Sequence, residues 1–307
     1  MKKKSVIVGG TIAIDNVKTP SAEASNLLGG SASYASLATS FYHDSVNLVG
    51  IIGHDYPQEH LDMLSSHGVN LTGVERSESA SFTWSGEYME NMNDRETHAV
   101  ALNVLEGWEV KVPQEISDSQ LIVLANMSPE NQLQMLAGCT SDARYVIADT
   151  MDLWMAIANE KLHEVLQKID LLVLNESEAR ELAKTSNLVL AGERLLEKGP
   201  AHVIIKLGEF GAMLFAKDGD VFRCPAWPLK EVTDPTGAGD SFLGGMAGYL
   251  ASLDTLGFSF EHLRQAMVRG TVAASFTCEA FSTQKLQSMT RADLDARMAK
   301  LKEISSW

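Results

Sequence analysis

Four short apolar runs in the middle of the chain constrain its fold more than any other feature. They cover residues 121–125, 145–148, 171–174 and 203–205, and stretches of helical character separate them. Apolar runs of this length without polar alternation are typical of strands that are buried on both faces of a parallel sheet. The sequence therefore predicts the α/β class, with helices covering a mainly parallel central sheet.

The residues that follow these runs indicate where a ligand binds. Asn126, Asp149 and Asn175 come directly after the first three runs, and the fourth leads through Lys206 to a glycine. In open parallel sheets, ligands bind beyond the carboxyl ends of the strands. We therefore expect a binding site at this edge of the sheet.

Residues 234–240 read Asp-Pro-Thr-Gly-Ala-Gly-Asp and predict a tight turn that leads directly into a helix. Gly237 and Gly239 permit backbone angles that other residues avoid, so successive N–H groups can face one concavity at the positive end of the helix. Such a turn binds an anion. Asp240 places a carboxylate beside that anion, which indicates a base for phosphoryl transfer to a hydroxyl group.

Composition excludes several classes of partner. The chain has 307 residues, enough for one large domain over residues 1–307, and a formal net charge of −15. This charge argues against nucleic acids and anionic membranes as partners, because both need clustered positive charge. No apolar run approaches the ~20 residues that span a bilayer. The three cysteines lack metal-ligand or redox spacing, which favours free thiols and predicts a cytoplasmic protein.

Two common nucleotide-binding motifs are missing from the sequence. It contains no Gly-x-x-x-x-Gly-Lys-Ser/Thr loop, which excludes a Walker-type ATPase. No Gly-x-Gly-x-x-Gly follows the first predicted strand, which argues against a dinucleotide-dependent oxidoreductase.

Two segments differ from the regular α/β pattern. Residues 78–106 alternate polar and apolar side chains around a turn at 91–94, which is typical of a hairpin exposed on one side. Together with approximately residues 11–28, they predict a small lid rather than a separate domain, because no linker surrounds them. Asp15, within residues 11–28, is predicted to lie near a turn.

The chain resembles the ribokinase-like (PfkB) carbohydrate and nucleoside kinases. Residues 234–240 are similar to the C-terminal signature of that family, and three further motifs follow the family's order, at residues 28–30, 175–178 and 208–212. These resemble, in turn, the N-terminal di-glycine motif, the Asn-x-x-Glu motif and the strand-turn near the nucleotide. The resemblance implies a three-layer α/β/α sandwich with a small β lid, and a kinase that uses ATP and Mg²⁺.

The resemblance also implies roles for individual residues. Asp240 is the catalytic base, and the backbone N–H groups of Gly237, Ala238 and Gly239 form the anion hole. The other implied positions are, for the nucleotide, Asn175, Lys206, Gly208, Gly211 and Thr236; for Mg²⁺, Glu178 with Asn175; and for the acceptor substrate, Asp15, Gly29 and Gly30.

Some of these positions also have plainer interpretations. Asn175 and Glu178 could instead be a simple helix-capping pair. Lys206 either neutralises phosphate charge or extends to the surface. Asp234 and Thr236 stand where some family members bind a monovalent cation such as K⁺. In relatives the lid edges often pair between subunits, so a homodimer through the lid is a further expectation.

The substrate is predicted from the residues around the di-glycine motif and the lid. Ribokinase-type members often carry Asn four positions after the second glycine, where this chain has Tyr34, so the segment is more similar to the nucleoside-kinase branch. The aromatic side chains that suit stacking on a base, with a core role as the alternative, are Phe82, Trp84, Tyr88 and Trp154. We therefore predict transfer to the primary hydroxyl of a ribose-containing substrate, a nucleoside in preference to a free sugar such as ribose or fructose. A non-catalytic nucleotide-binding sensor with the same fold is the remaining alternative.

Overall fold

The four apolar runs are neighbouring strands of one large sheet. The computed structural model describes residues 4–306 of the chain. The strands of this region are β1 (Val6–Gly9), β2 (Ala13–Lys18), β3 (Glu23–Gly29), β4 (Val46–Ile52), β5 (Val69–Arg76), β6 (Phe82–Tyr88), β7 (Arg95–Ala101), β8 (Leu121–Leu124), β9 (Tyr145–Asp149), β10 (Leu171–Asn175), β11 (His202–Lys206), β12 (Ala212–Ala216) and β13 (Val221–Cys224). The helices are α1 (Ser31–Ser40), α2 (Gln58–Ser66), α3 (Pro129–Gly138), α4 (Asp152–Ile157), α5 (Asn159–Leu166), α6 (Glu176–Ala183), α7 (Leu188–Leu196), α8 (Ala238–Ser252), α9 (Phe260–Thr277), α10 (Gln284–Gln287) and α11 (Arg291–Ser305).

The main sheet has the strand order β13-β12-β11-β10-β9-β8-β1-β4-β5 within residues 4–306. From β11 to β5 all neighbouring pairs are parallel, as predicted. β12 and β13 extend one side of the sheet by antiparallel pairing, an addition that the sequence did not indicate. The carboxyl ends of β8 to β11 therefore lie along one edge, and the polar residues at or after these ends lie side by side.

Each face of the main sheet carries its own apolar core. In β1, Val6 and Val8 belong to the core that also holds α1, α8 and α9, whereas Ile7 between them belongs to the core beneath α3, α5, α6 and α7. The side chains divide in this way because successive residues of a strand point to opposite faces. The predicted three-layer α/β/α sandwich is confirmed.

A small sheet lies apart from the main one, with the strand order β3-β2-β6-β7 in the described part of the chain. β6 and β7 form the predicted hairpin, and the turn at residues 91–94 joins them. β2 pairs antiparallel with β3 but parallel with β6, so the two segments predicted as the lid form a single sheet. β7, at the edge of this sheet, is largely exposed.

The expected position of Asp15 near a turn is wrong. Asp15 lies inside β2, paired with Leu27 and Trp84 of the neighbouring strands, and only 4% of its surface is exposed. The register of β2 against β3 shifts between Asp15 and Val17. This irregularity interrupts the alternation that the sequence pattern would otherwise have shown.

Two helices of the main domain touch through their backbones. A Cβ atom at Gly244 of α8 would collide with the backbone oxygen of Ala35 in α1, and one at Gly248 would collide with the backbone oxygen of Thr39 one turn further on. The Thr39 hydroxyl donates a hydrogen bond to the Gly244 carbonyl across this contact (3.0 Å). The glycines of α8 therefore let this helix pack directly against the backbone of α1.

Candidate active site

Two cavities meet beyond the carboxyl ends of the central strands. The large cavity, of about 700 Å³, lies over the ends of β9, β10 and β11 and against α8 and α9. The small cavity, of about 380 Å³, lies between the small sheet, α1 and α4. The residues that line both cavities are Tyr88, Arg95, Asn126, Met151, Gly237 and Asp240. The predicted edge of the sheet therefore holds two compartments that share one wall.

The turn at residues 234–237 enters α8 as predicted. Gly237 is the N-cap of α8 and has a left-handed backbone conformation (φ +76°), which glycine adopts without a steric penalty. Asp234 is fully buried and holds the turn from inside. Its carboxylate accepts hydrogen bonds from the N–H groups of Thr236 (2.8 Å) and Ser282 (3.1 Å). The first residues of α8 line the large cavity, so the N-terminal end of this helix borders the shared wall, where an anion would bind.

Asp240 lies in the first turn of α8, half-buried at the junction of the two cavities. Burial and the nearby carboxylate of Asp149 raise its pKa to about 6, although the charges of Lys206 and Arg95 act in the opposite direction. A carboxylate with this pKa is ionised at neutral pH and is a stronger base than an exposed aspartate. Asp240 can therefore accept a proton from a group bound in either cavity.

Asn175 and Glu178 form the helix-capping pair that was the plainer interpretation. The Glu178 N–H donates to the Asn175 side chain (2.9 Å), and the Asn175 N–H donates to the Glu178 carboxylate (2.7 Å), which together start α6. Both side chains also line the large cavity. Burial and the charge of Asp149 raise the pKa of Glu178 to about 8. The pair thus caps α6, and the Glu178 carboxylate also lies in the large cavity, where a cation would stabilise its charge.

Gly208 and Gly211 line the large cavity in the turn between β11 and β12. Both have positive φ angles, +56° and +92°. A Cβ atom at Gly208 would come within 3.2 Å of the Asn93 side chain, which belongs to the β6–β7 turn, and one at Gly211 would collide with the Cys224 carbonyl. The turn of the small sheet therefore reaches across the large cavity to Gly208.

The small cavity contains Asp15 and Gly30 at its closed end. Burial, followed by the charges of Asp234 and Asp240, raises the pKa of Asp15 to about 8. Gly29 does not line the cavity. A Cβ atom at Gly29 would collide with the Asp15 carboxyl group, so glycine at this position makes room for Asp15, while its contact with substrate stays a prediction.

Tyr34 packs against Gly237 in the turn that separates the two cavities. Its side chain is 1% exposed and lines the small cavity, and its ring occupies the space that a Cβ atom at Gly237 would need. Thr236, predicted on the nucleotide side, lines the small cavity instead. Its hydroxyl donates to the Tyr88 hydroxyl (3.3 Å), and this bond ties β6 of the small sheet to the turn.

All four aromatic side chains that the sequence singled out, Phe82, Trp84, Tyr88 and Trp154, line the small cavity. Trp154 is held in place because its indole N–H donates to the Asn126 side chain (2.8 Å). The rim also carries exposed apolar side chains, among them Val100 and Leu153. This cavity therefore offers a polar closed end and an apolar, aromatic mouth.

Sequence reasoning gave too little weight to three residues. Arg95 begins the exposed strand β7 and lines both cavities, and no sequence motif indicated it. Asp149 was noted only as a strand end, yet it forms an ion pair with Lys206 (3.2 Å). Asn126 orients Trp154. The repeated polar strand ends were the signal that could have identified the last two.

Comparison with known proteins identifies the family. The model of the pfkB family of carbohydrate kinases matches residues 6–290. The chain belongs to the PfkB carbohydrate kinase family. Like its relatives, this PfkB kinase is a phosphotransferase with an alcohol group as acceptor.

Individual relatives point to the nucleoside-kinase branch. The cytidine kinase of Thermococcus kodakarensis is 28% identical over 250 residues, 80% of this chain and 88% of that protein. The nucleoside kinase of Burkholderia thailandensis in complex with inosine superposes with a TM-score of 0.78 at 21% identity, covering 96% of this chain and 97% of that one. A putative ribokinase II of E. coli in complex with ATP and Mg²⁺ gives a TM-score of 0.80 at 17% identity, covering 97% and 99%. The structural likenesses establish the fold of this PfkB kinase.

Two structural features are absent from residues 4–306 of this PfkB kinase. No group of three or more His, Cys, Asp or Glu side chains there is arranged to hold a metal ion. None of the described helices combines the length and apolar character needed to cross a membrane.

Proposed function

We propose that this PfkB kinase transfers the γ-phosphoryl group of ATP to the primary hydroxyl group of a nucleoside. The meeting of the two cavities at Asp240 and Gly237 carries the proposal. A nucleotide in the large cavity and an acceptor in the small cavity would face each other across the anion-binding turn. Such an arrangement suits direct in-line transfer, because positioning supplies much of the catalysis in phosphoryl transfer.

In the proposed step, the acceptor oxygen forms a bond to the γ-phosphorus while the bond from that phosphorus to the β,γ-bridging oxygen breaks. Asp240 takes the proton of the acceptor hydroxyl, and the electron pair of the broken bond leaves with ADP. The backbone N–H groups of Gly237, Ala238 and Gly239 stabilise the charge on the transferring group. Water competes poorly when the small sheet covers the acceptor, so we propose that this sheet acts as a lid.

Asn175 and Glu178 fit a hydrated magnesium ion. Mg²⁺ keeps several of its waters, so an amide and one carboxylate suffice even without a cluster of three acidic side chains. Both side chains line the large cavity, where a bound cation would favour the ionised form of Glu178. When bound, the ion would neutralise phosphate charge. The monovalent-cation site predicted at Asp234 and Thr236 stays a proposal, as does a homodimer through the edges of the small sheet.

A nucleoside fits the small cavity better than a free sugar does. Asp15 and Gly30 at the closed end suit the hydroxyl groups of a ribose ring, since the two oxygens of a carboxyl group can each hydrogen-bond to one of two neighbouring hydroxyls, the protonated oxygen as donor and the other as acceptor. The aromatic mouth, with Trp84 and Trp154, would stay unused with ribose alone but can stack on a base. The names of the cytidine kinase and nucleoside kinase relatives give independent support.

The test is an ADP-release assay with ATP and Mg²⁺ over a panel of nucleosides and free sugars. We expect turnover with at least one nucleoside, and Asp240→Asn should reduce it to below about 1% while nucleotide affinity stays unchanged. Asp218→Asn, an exposed change in the turn after β12, is the matched control. Nucleotide binding without turnover on any acceptor would instead favour the non-catalytic sensor, and turnover with sugars alone would favour the sugar-kinase alternative.

A further inference from the structure

Lys206 and Asp149 form an ion pair at the floor of the large cavity. The Lys206 Nζ lies 3.2 Å from the Asp149 Oδ2, and the two side chains are 18% and 8% exposed. An ion pair that is buried to this degree adds little net stability, because removing both charges from water costs about as much as their attraction returns. A function in the cavity therefore explains this pair better than a contribution to folding.

The Asp149 carboxylate is fixed in orientation. Its Oδ1 accepts a hydrogen bond from the Thr150 N–H (2.8 Å), and its Oδ2 accepts one from Lys206. The Asp149 carbonyl is held as well, by the side-chain amide of Gln132 (3.0 Å). Asp149 takes one of the three ammonium donors of Lys206 within the described residues, which leaves two for a ligand.

Lys206 lies against the anion-binding turn. A Cβ atom at Gly239 would come within 3.0 Å of the Lys206 Nζ, so glycine at position 239 lets the turn approach the ammonium group. Lys206 lines the large cavity and is not among the residues of the small one. Its charge therefore faces the nucleotide side of the shared wall and not the acceptor side.

The surroundings keep Lys206 charged. Burial alone would lower its pKa, but the carboxylates of Asp149, Glu178 and Asp240 raise it above the usual value. The ion pair with Asp149 likewise favours the charged ammonium group, which can act as a fixed positive charge and hydrogen-bond donor.

We infer that Lys206 is a catalytic residue that stabilises the leaving diphosphate of the nucleotide, and that Asp149 is the positioning residue that holds it there. The inference rests on the proposed function and deepens it. As the bond between the γ-phosphorus and the bridging oxygen breaks, its electron pair adds negative charge to the β-phosphate. A cation fixed beside that position interacts more strongly with the transition state than with bound ATP, which raises kcat and changes KM little.

The experiment compares Lys206→Met, Asp149→Asn and the double variant in the full-length protein. Calorimetry measures the affinity for ADP–Mg²⁺ with acceptor, first alone and then with aluminium fluoride, which mimics the transferring phosphoryl group. In Lys206→Met we expect kcat and the affinity gained from aluminium fluoride to fall about 100-fold, with ADP affinity and the KM for ATP within about threefold of wild type. In Asp149→Asn, kcat and the affinity gained from aluminium fluoride should each fall about tenfold, because a displaced Lys206 ammonium group no longer fits the transition state.

The double variant tests whether Asp149 acts through Lys206. If it does, Lys206→Met with Asp149→Asn is no worse than Lys206→Met alone, since the two losses are not additive. Lys206→Arg keeps the charge and should recover part of the activity, and Lys206→Gln replaces Lys206→Met if that variant does not fold. Asp218→Asn, the exposed change in the turn after β12, is the control and should behave like wild type.

Several results would overturn the inference. These are additive losses, a wild-type-like Asp149→Asn, or an ADP affinity that falls as much as the aluminium fluoride affinity, which would make Lys206 a ground-state ligand only. If the wild-type protein transfers phosphoryl groups and the variants do so equally well, this inference is wrong but the proposed function stands. A wild-type protein that transfers none to any acceptor removes the proposed function and this inference with it.

Discussion

The ring of Tyr34 lies directly beneath Gly237 and fills the space that a Cβ atom at position 237 would need. The turn that would bind the transferring phosphoryl group is thus shaped by a side chain of α1, which also lines the acceptor side. Tyr34 stands where ribokinase-type members often have Asn, so in this chain the position supports the turn by packing.

Gly237→Ala is the direct test of this contact. The added methyl group must displace Tyr34 and the turn, so we expect kcat to fall about 100-fold through loss of the anion hole. Left-handed strain also costs about 1–3 kcal/mol of stability. Gly219→Ala is the matched control, because Gly219 has φ +94° with open space around it. That control should lose stability but not activity; equal kinetics in the two variants would contradict the proposed role of the turn.

The pH dependence of the reaction should reflect Asp240. Its pKa of about 6 means that the base is protonated below that value, so kcat/KM should rise about tenfold per pH unit up to about pH 6 and then level off. Because the charge of Lys206 lowers this pKa, Lys206→Met should move the rise to higher pH. Initial rates of the wild type and of Lys206→Met, measured in a buffer series of constant ionic strength, check the profile and its shift. A wild-type profile that is flat between about pH 5 and about pH 7 would exclude Asp240 as the titrating base.

Asp15 should make the folded protein less stable as the pH rises. Its pKa is about 8 in the folded chain, against an ordinary value of 3.8. Between these values the folded state holds a proton that the unfolded state has lost, so the free energy of unfolding decreases with rising pH and stops decreasing above about pH 8.

Asp15→Asn should remove this dependence. Urea unfolding at low and high pH should show the variant to be more stable than wild type near pH 8, with the advantage shrinking toward pH 4. Acceptor affinity should fall at the same time, because the amide nitrogen of Asn cannot accept a hydrogen bond from a ribose hydroxyl. Asp62→Asn, an exposed change on α2, serves as control. An advantage that is the same at both ends of the pH range would mean that the titration of Asp15 is not its cause.

Trp154 should distinguish nucleosides from free sugars. Base stacking on an aromatic ring contributes about 1–3 kcal/mol, so Trp154→Ala should raise the KM for a nucleoside about tenfold or more. Any activity on ribose should stay unchanged, and Trp154→Phe should recover most of the nucleoside affinity. Ile157→Ala on the same helix, where Ile157 is 68% exposed, is the control. Equal effects of Trp154→Ala on nucleoside and ribose would contradict stacking.

Local patterns predicted much of the fold and the polar edge of the site. The apolar runs at β8 to β11 and the glycines of residues 234–240 carry their conformational meaning within a few residues, so both could be recognised without a structure. The antiparallel pairing of β12 and β13 could not, because their short mixed pattern does not specify a partner.

The remaining site features depend on contacts between distant parts of the chain. Asp15 is 219 positions from Asp234, and the coupling of their charges appears only when β2 and the turn meet. The same holds for Tyr34 under Gly237, and for Asp149 beside Lys206. Residue type suggests candidates in each case, but only the packing shows which neighbour changes their chemistry.

The backbone contact between α1 and α8 constrains which positions can be substituted. Gly244 and Gly248, which make the contact, have no room for a larger side chain. Both helices begin beside the two cavities, so a side chain added at Gly244 or Gly248 would push the helices apart and displace their N-termini for every acceptor at once. The aromatic mouth lies on β6 and α4, outside it. Acceptor preference can therefore drift through single substitutions around the mouth while the reaction centre is inherited intact.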